Sequence, residues 1–329
     1  MKAPVTMQDI AKKAAVSTYT VSTVLGGKWQ GEVSEKTASR VEKVAKAMGY
    51  VLNLPARHLR SGRSGVFAYL TVLDHDAASL PDTSLFFYTI HEISRRMQAH
   101  GAFLTVVNMA QLNPEATAGL SLFDGFVTMH RPFKNLVESL GGKKPAVDFA
   151  FHGSAVQDFG VAVEPGFAEA RKALQGRVSK RVFFAGDTGY EANAQKAREI
   201  ERNFGVGTGA PCVVVWADAG KPDFLPRIIR DRLLAPGDLV FCANDALASQ
   251  IYQACRVQGL GIPRDVRVVG YNDDLPSRSM DPPLSTIALP REAMFDALVA
   301  KLLGNGGKPE RKAPASVHLP CRFQSRSST

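Results

Sequence analysis

Apolar positions are spaced differently along the chain: over the first fifty residues they recur every three or four places, and beyond residue 64 they gather into unbroken runs. The first spacing belongs to short amphipathic helices, the second to strands covered on both faces. In "VTMQDIAKKAAVS", Thr6 followed three residues later by Asp9 is a capping box, and Met7, Ile10, Ala11 and Ala14 form one stripe, which predicts a helix over 7–14. Ala15-Val16 turns the chain, Ser17 caps a second helix that stops at Gly26-Gly27, and Ser34 opens a third. In that third helix Ala38, Val41, Ala45 and Met48 face inward before Gly49 ends it. Three short helices with a tight turn between the first two make a helix-turn-helix.

Winding the second helix at about 100° per residue sets Thr18, Tyr19, Ser22 and Thr23 on one arc and Thr20, Val21, Val24 and Leu25 on the other. The outward arc thus carries hydroxyls where Lys and Glu are usual. A helix that reads DNA lies in a groove about 12 Å wide, where small hydroxyls reach base edges and phosphates. Thr18 and Tyr19, at the helix start, are expected at base edges, Ser22 and Thr23 come next, and Thr20 is a core or capping contact. The caps Thr6 and Ser17 complete this candidate set, and Lys12, Lys13, Lys36 and Arg40 are candidates for phosphates. In "NLPARHLRSGRSG", Asn53 caps a helix of about two turns that Gly62 ends, too short to be stable alone. It is predicted to fold on DNA, with Asn53 and Ala56 in its first turns, Leu59 wedged between base steps of the minor groove, and Arg57, Arg60 and Arg63 near phosphates. A plain interdomain linker is the competing reading.

From Ser64 onward the runs "VFAYLTVL", "FLTVVNM", "GFVTM", "AVDFAF", "VAV", "RVFFAG", "CVVVWA", "LVFCA" and "VRVVGY" read as buried strands. Helical stretches near 85–100, 166–175, 190–204, 224–234 and 245–258 separate them, which implies right-handed βαβ crossovers. There are too many strands for one mononucleotide-type unit. The expected fold is therefore an all-α helix-turn-helix unit plus an α/β core of two doubly wound parallel-sheet lobes. The expected division is 1–52 for the helix-turn-helix, 53–63 for the hinge, 64–162 with about 290–320 for one lobe, and 163–289 with the carboxyl-terminal end for the other.

Open parallel sheets bind ligands beyond the carboxyl ends of their strands. Those ends carry Asp74, His130-Arg131, His152, Asp187, Asp218, Asn244-Asp245 and Asn272-Asp273, which describes a cleft for a small polar molecule. Phe86, Phe87 and Trp216 supply flat faces for a ring. Asp187 and Asp218 are read first as turn formers or helix caps, and Asp245 equally as a helix cap.

Charge changes the picture once it is located. The net +9 is concentrated at the ends: residues 1–63 hold eleven Lys/Arg against four Asp/Glu, and residues 307–329 hold five against one. A basic unit on a nearly neutral body is the footprint of a nucleic-acid binder, with a merely solubilising surface as the alternative. Cys212, Cys242, Cys255 and Cys321 show no C-x-x-C spacing, so buried thiols are expected rather than a disulfide or metal site. No apolar run approaches the roughly 18–20 residues of a membrane span, and the chain start has no secretory segment, which predicts a cytoplasmic, nucleoid-associated protein. No G-x-x-x-x-G-K-[ST], G-x-S-x-G or H-E-x-x-H is present, and "GVGTG" follows a helix and leads into a strand, the wrong order for a phosphate loop. No cofactor is expected. An enzyme, or a small-molecule-binding protein using the interlobe cleft, is the second reading.

"VTMQDIAKKAAVSTYTVSTVLGG", "VSEKTASRVEKVAKAMGY" and N-x-x-A-R-x-L-R-S-G, then "VFCANDALASQIYQACRVQGLGIPRDVRVVGYNDD" and "PPLSTI", resemble the lactose-repressor/galactose-repressor family of transcription regulators across nearly the whole chain. The resemblance implies two lobes like those of periplasmic sugar-binding proteins, three crossings between them, and a homodimer on double-stranded operator DNA. It assigns intercalation to Leu59 and base reading to Thr18, Tyr19 and Thr23. Asn244 and Asp245 fall at the effector cleft, and Asn272 falls where members often carry a ligand-binding Asp. The chain departs from the pattern in four places, one of them a shortened stretch between 108 and 165. Thr23 stands where many members have Arg, Glu164-Pro165 replaces an acidic-plus-Asn pair, and the stretch after "FFAG" has no Arg before Arg198. A carbohydrate is the leading effector class, with a purine, another metabolite or none as alternatives. The tail lacks a leucine heptad, so a tetramer is not expected.

Overall fold

In the amino-terminal unit, local capping chemistry decides where each helix begins. The computed structural model describes residues 5–27, 29–50, 63–72, 83–110, 119–129, 131–139, 144–150, 158–176, 179–189, 191–205, 214–216, 221–304 and 317–329. The chain divides into two units, Met1–Ser64 and Gly65–Thr329. The hinge candidates Asn53, Ala56, Arg57, Leu59 and Arg60 lie outside the described residues, as do Asp74, His130, His152, Asp218 and Cys212.

The first unit holds α1 (Met7–Ala14), α2 (Thr18–Leu25) and α3 (Glu35–Ala47). The capping box forms: the Asp9 N–H donates to Thr6 Oγ1 at 3.3 Å while the Thr6 N–H donates to Asp9 Oδ2 at 2.9 Å. Ser17 Oγ accepts from the Thr20 N–H at 3.0 Å, and Ser34 Oγ from the Thr37 N–H at 3.4 Å. Ala15 takes the left-handed conformation (φ 50°) that ends α1, and Gly49 (φ +66°) follows α3, where a side chain would be strained. Ile10, Ala11, Ala14, Val21, Val24, Ala38, Val41 and Ala45 form one small core. Most of its members are Ala or Val, and Met7, Leu25, Trp29, Met48 and Tyr50 pack against them.

The second unit runs β1 (Val66–Thr71), α4 (Thr83–Ala99), β2 (Phe103–Asn108), β3 (Phe126–Thr128), α5 (Arg131–Ser139), β4 (Ala146–Asp148), β5 (Phe159–Ala162), α6 (Glu164–Ala173), β6 (Arg181–Ala185), α7 (Glu191–Phe204) and β7 (Val214–Trp216). It continues with α8 (Phe224–Arg230), β8 (Asp238–Cys242), α9 (Asp245–Gln258), β9 (Val266–Asn272), β10 (Ser285–Ala288), α10 (Arg291–Leu303), β11 (Val317–Pro320) and β12 (Arg322–Gln324). One sheet has the order β2-β1-β3-β4, a second β12-β10-β9-β8-β6-β7, and β11 pairs with β5. All pairings are parallel except β10 with β12. In each of the two larger sheets the chain steps outward from its first strand and then returns to lay the third on the other side. The strand order therefore switches between β1 and β3 and between β6 and β8.

All nine apolar runs become strands, with two differences in burial. Phe103 (46% exposed) and Val106 (39%) on β2 and Val214 (44%) and Val215 (39%) on β7 reach solvent because both strands are sheet edges, so they are not covered on both faces as expected. Charged pairs tie the elements together inside the unit. Arg96 on α4 donates to Asp296 at 2.6 Å and also pairs with Glu92 and Glu292, linking α4 to α10. Asp158, just before β5, receives Lys134 at 2.6 Å and Lys301 at 2.7 Å. Burial alone would raise the Asp158 pKa, but hydrogen bonds from Asp148, Lys134 and Lys301 outweigh it and hold the carboxyl below its ordinary value. Cys242, Cys255 and Cys321 are buried thiols; burial pushes Cys255 up to about 12 and Cys321 up to about 11. Among the described residues no helix is long and apolar enough to cross a membrane.

Candidate functional site

Polar side chains gather in two places on the chain, one in each unit. On α2, Ser17, Thr18 and Tyr19 are exposed, Tyr19 to 69%, while Ser22 and Thr23 are half-buried. Val21 and Val24 point into the core, and the half-buried Thr20 places its hydroxyl 2.9 Å from Ser17 Oγ, a capping contact. Thr6 is already committed: besides accepting from Asp9, its hydroxyl donates to Asp9 Oδ2 at 2.6 Å. Tyr19 Oη donates to Glu32 Oε2 at 3.2 Å. The helix carries no charged side chain, whereas Lys12, Lys13, Lys36 and Arg40 on α1 and α3 are all exposed.

The second surface lies at the carboxyl ends of β6, β8 and β9, beside the strand-order switch. Lys196 on α7 is buried there: its Nζ donates to the Ala243 carbonyl at 2.8 Å and to Asn193 Oδ1 at 3.4 Å, and sits 3.8 Å from the Tyr271 ring centre. Asn193 in turn donates to the Asp187 carbonyl at 2.9 Å. At the end of β9 the chain takes two successive positive φ values, Asn272 (110°) and Asp273 (58°), a strained conformation costing about 1–3 kcal/mol per residue. Arg291, first in α10, holds it by donating to the Asn272 carbonyl at 2.8 Å and to Asp274, with its guanidinium 5.0 Å from the Tyr88 ring centre. Its Nε is buried and, among the described residues, has no hydrogen-bond partner.

The structure brings Asn244, Asp245 and Asn272 together at this surface. Asn244 caps α9, its Oδ1 accepting from the Leu247 N–H at 2.8 Å. Asp245 is enclosed, with Oδ1 accepting from the Thr286 hydroxyl at 2.8 Å and Oδ2 from the Asp274 N–H at 2.7 Å, so it shapes the strand ends from behind. Burial, reinforced by Asp274 and Asp273, pushes its pKa up to about 7. Phe86 packs edge-on against Tyr69 at 5.9 Å, Phe87 is 67% exposed, and Glu164 is exposed at the start of α6. Trp216 is corrected: it is 7% exposed, stacked on Phe183 at 4.4 Å and met edge-on by Phe224, so its ring belongs to the core. Lys196 and Arg291 were missed from sequence. A buried cation on a helix looks like a solvated one until the sheet beneath it is known.

A helix-turn-helix unit followed by a parallel-sheet body with polar strand ends defines a class, the ligand-responsive DNA-binding regulators. Residues 6–53 match the lacI family of bacterial regulatory proteins, and residues 143–329 match the periplasmic binding protein-like domain. The chain belongs to the lacI family. It is 24% identical over 345 residues to the HTH-type transcriptional regulator DegA of Bacillus subtilis (strain 168), covering 98% of each chain. Among solved structures it resembles the lac repressor dimer bound to operator and the anti-inducer ONPF, with TM-score 0.70, 22% identity and 99% of each chain covered. It also resembles a transcriptional regulator CelR in complex with cellobiose, with TM-score 0.62, 20% identity, 99% of this chain and 100% of that one.

Proposed function

We propose that the protein is a sequence-specific transcriptional repressor that binds operator DNA as a homodimer and is controlled by a carbohydrate effector. The observation that carries the DNA half is the uncharged hydroxyl face of α2, flanked on α1 and α3 by exposed lysines and an arginine. Thr18, Tyr19, Ser22 and Thr23 read bases, while Lys12, Lys13, Lys36 and Arg40 hold phosphates. The hinge at 53–63 orders on DNA and inserts Leu59. Strand ends in the body hold the effector, with Lys196, Asn244, Asn272 and Arg291 supplying polar contacts and Phe86 and Phe87 apolar ones. The four-stranded and six-stranded sheets form the cores of the two lobes. The cellobiose-bound relative supports a sugar, as do the paired amide and cationic groups, which suit hydroxyls.

The protein is a regulator and not an enzyme, and it works on the nucleoid in the cytoplasm. Selection of bound sites from random duplexes is expected to return a near-palindrome, and calorimetry against sugars, sugar phosphates and nucleobases is expected to show heat with a sugar. No sequence enrichment would overturn the first half; heat with nucleobases alone would overturn the second.

A further inference from the structure

Glu32 stands on the turn before α3, exposed, thirteen residues from the tyrosine whose phenol it accepts at 3.2 Å. A carboxylate beside a face that must approach phosphates weakens binding unless it has work there. Two of the other acidic residues of the unit have such work: Asp9 closes the capping box, and Glu35 lies in the first turn of α3, where the helix dipole favours it. Glu32 has neither role.

The hydrogen-bond inventory supplies one. A phenol owns a single proton, and a carboxylate owns none to give. With Tyr19 donating to Glu32, both groups present only lone pairs outward. In the major groove, adenine N6 and cytosine N4 donate, whereas guanine O6 and N7 and thymine O4 accept. Nothing else on α2 can supply a long fork, because it contains no Arg, Lys, Asn or Gln.

Resting on the reading of α2 as the base-reading helix, we infer that Tyr19 and Glu32 form an acceptor-only reader selecting an amino base, adenine or cytosine, over guanine or thymine on the strand Tyr19 faces. Glu32 acts as a specificity-determining residue by fixing which way the phenol proton points. Both side chains are exposed, so neither Tyr19→Phe nor Glu32→Ala removes core packing.

The test is site selection from random duplexes with the full chain and the two variants. Wild type is expected to show one position per half-site where adenine or cytosine dominates. In Glu32→Ala the freed phenol proton admits guanine and thymine at that position alone, and Tyr19→Phe flattens it. In wild type, replacing the selected base by its analogue lacking the exocyclic amine should weaken binding roughly tenfold. If both variants return the wild-type preference at every position, the acceptor-only reader is overturned while the reading of α2 stands. If wild type itself shows no preference anywhere, both fall together.

Discussion

Asp245 is a carboxyl group enclosed on every side, 2% exposed, with two protein donors and two neighbouring carboxylates. Its folded pKa of about 7 lies above the unfolded 3.8, so the folded state binds the proton more tightly. The stability it contributes is fully present below about pH 4 and is lost as pH rises through about 7. At about 1.36 kcal/mol per unit, that loss is at most about 4 kcal/mol. Urea unfolding of the full chain should give a midpoint that falls between pH 5 and pH 8, and Asp245→Asn should flatten the fall. Parallel curves for the two proteins would refute this account. The sequence placed Asp245 correctly at a strand end beside Asn244 and Asn272. It could not tell enclosure from presentation, because enclosure depends on Gly270, where an added Cβ would collide with Asp245 Oδ1. Trp216 misled for the same reason: a flat ring at a strand end is available to a ligand only if no other ring already covers it.

Helices and strands were legible wherever their neighbours leave a local trace. The caps at Thr6 and Ser17 each accept from a first-turn N–H, and Ser34 shares the Thr37 N–H with its own carbonyl, so all three starts could be read directly. Ser17→Ala should cost the amino-terminal unit about 1 kcal/mol, seen as faster hydrogen exchange in α2 of the full chain while α9 is unchanged. The helices α5 and α10 escaped notice. Pro132 and Pro290 blur their beginnings, and α10 buries Met294, Phe295, Leu298, Val299 and Leu302 with little polar contrast. The strands β11 and β12 alternate between half-buried and exposed positions and so form no apolar run. The contact of α4 with α10 lies some two hundred residues apart in sequence. Arg96→Met should destabilise the body by about 3 kcal/mol, the low end for a broken buried pair, because Glu92 keeps Arg95 and the other two carboxylates reach water. Unchanged thermal unfolding would show that Arg96 contributes packing alone.

For the whole chain, the uneven distribution of charge runs parallel to the division into two units at Ser64. Strand order could not be read this way, since a parallel sheet is assembled from contacts far apart in sequence. Operator affinity measured against salt should lose about one unit of slope for each of Lys12, Lys13, Lys36 and Arg40 neutralised, with the ranking of sequences kept. An unchanged slope would remove that residue from the phosphate contacts. Leu59→Ala should weaken specific binding while leaving thermal stability as it is; equal loss on random DNA would argue against insertion at the operator centre.

The buried cysteines offer a practical handle. Cys242, Cys255 and Cys321 all lie in the body, and a thiol held at a high pKa out of water resists alkylation until the surrounding structure opens. Their modification rate, followed peptide by peptide in a mass spectrometer, is therefore a clock for that opening. Any metabolite that settles into the body will slow the clock, so an effector can be hunted without knowing the operator, the regulated genes or the direction of the response.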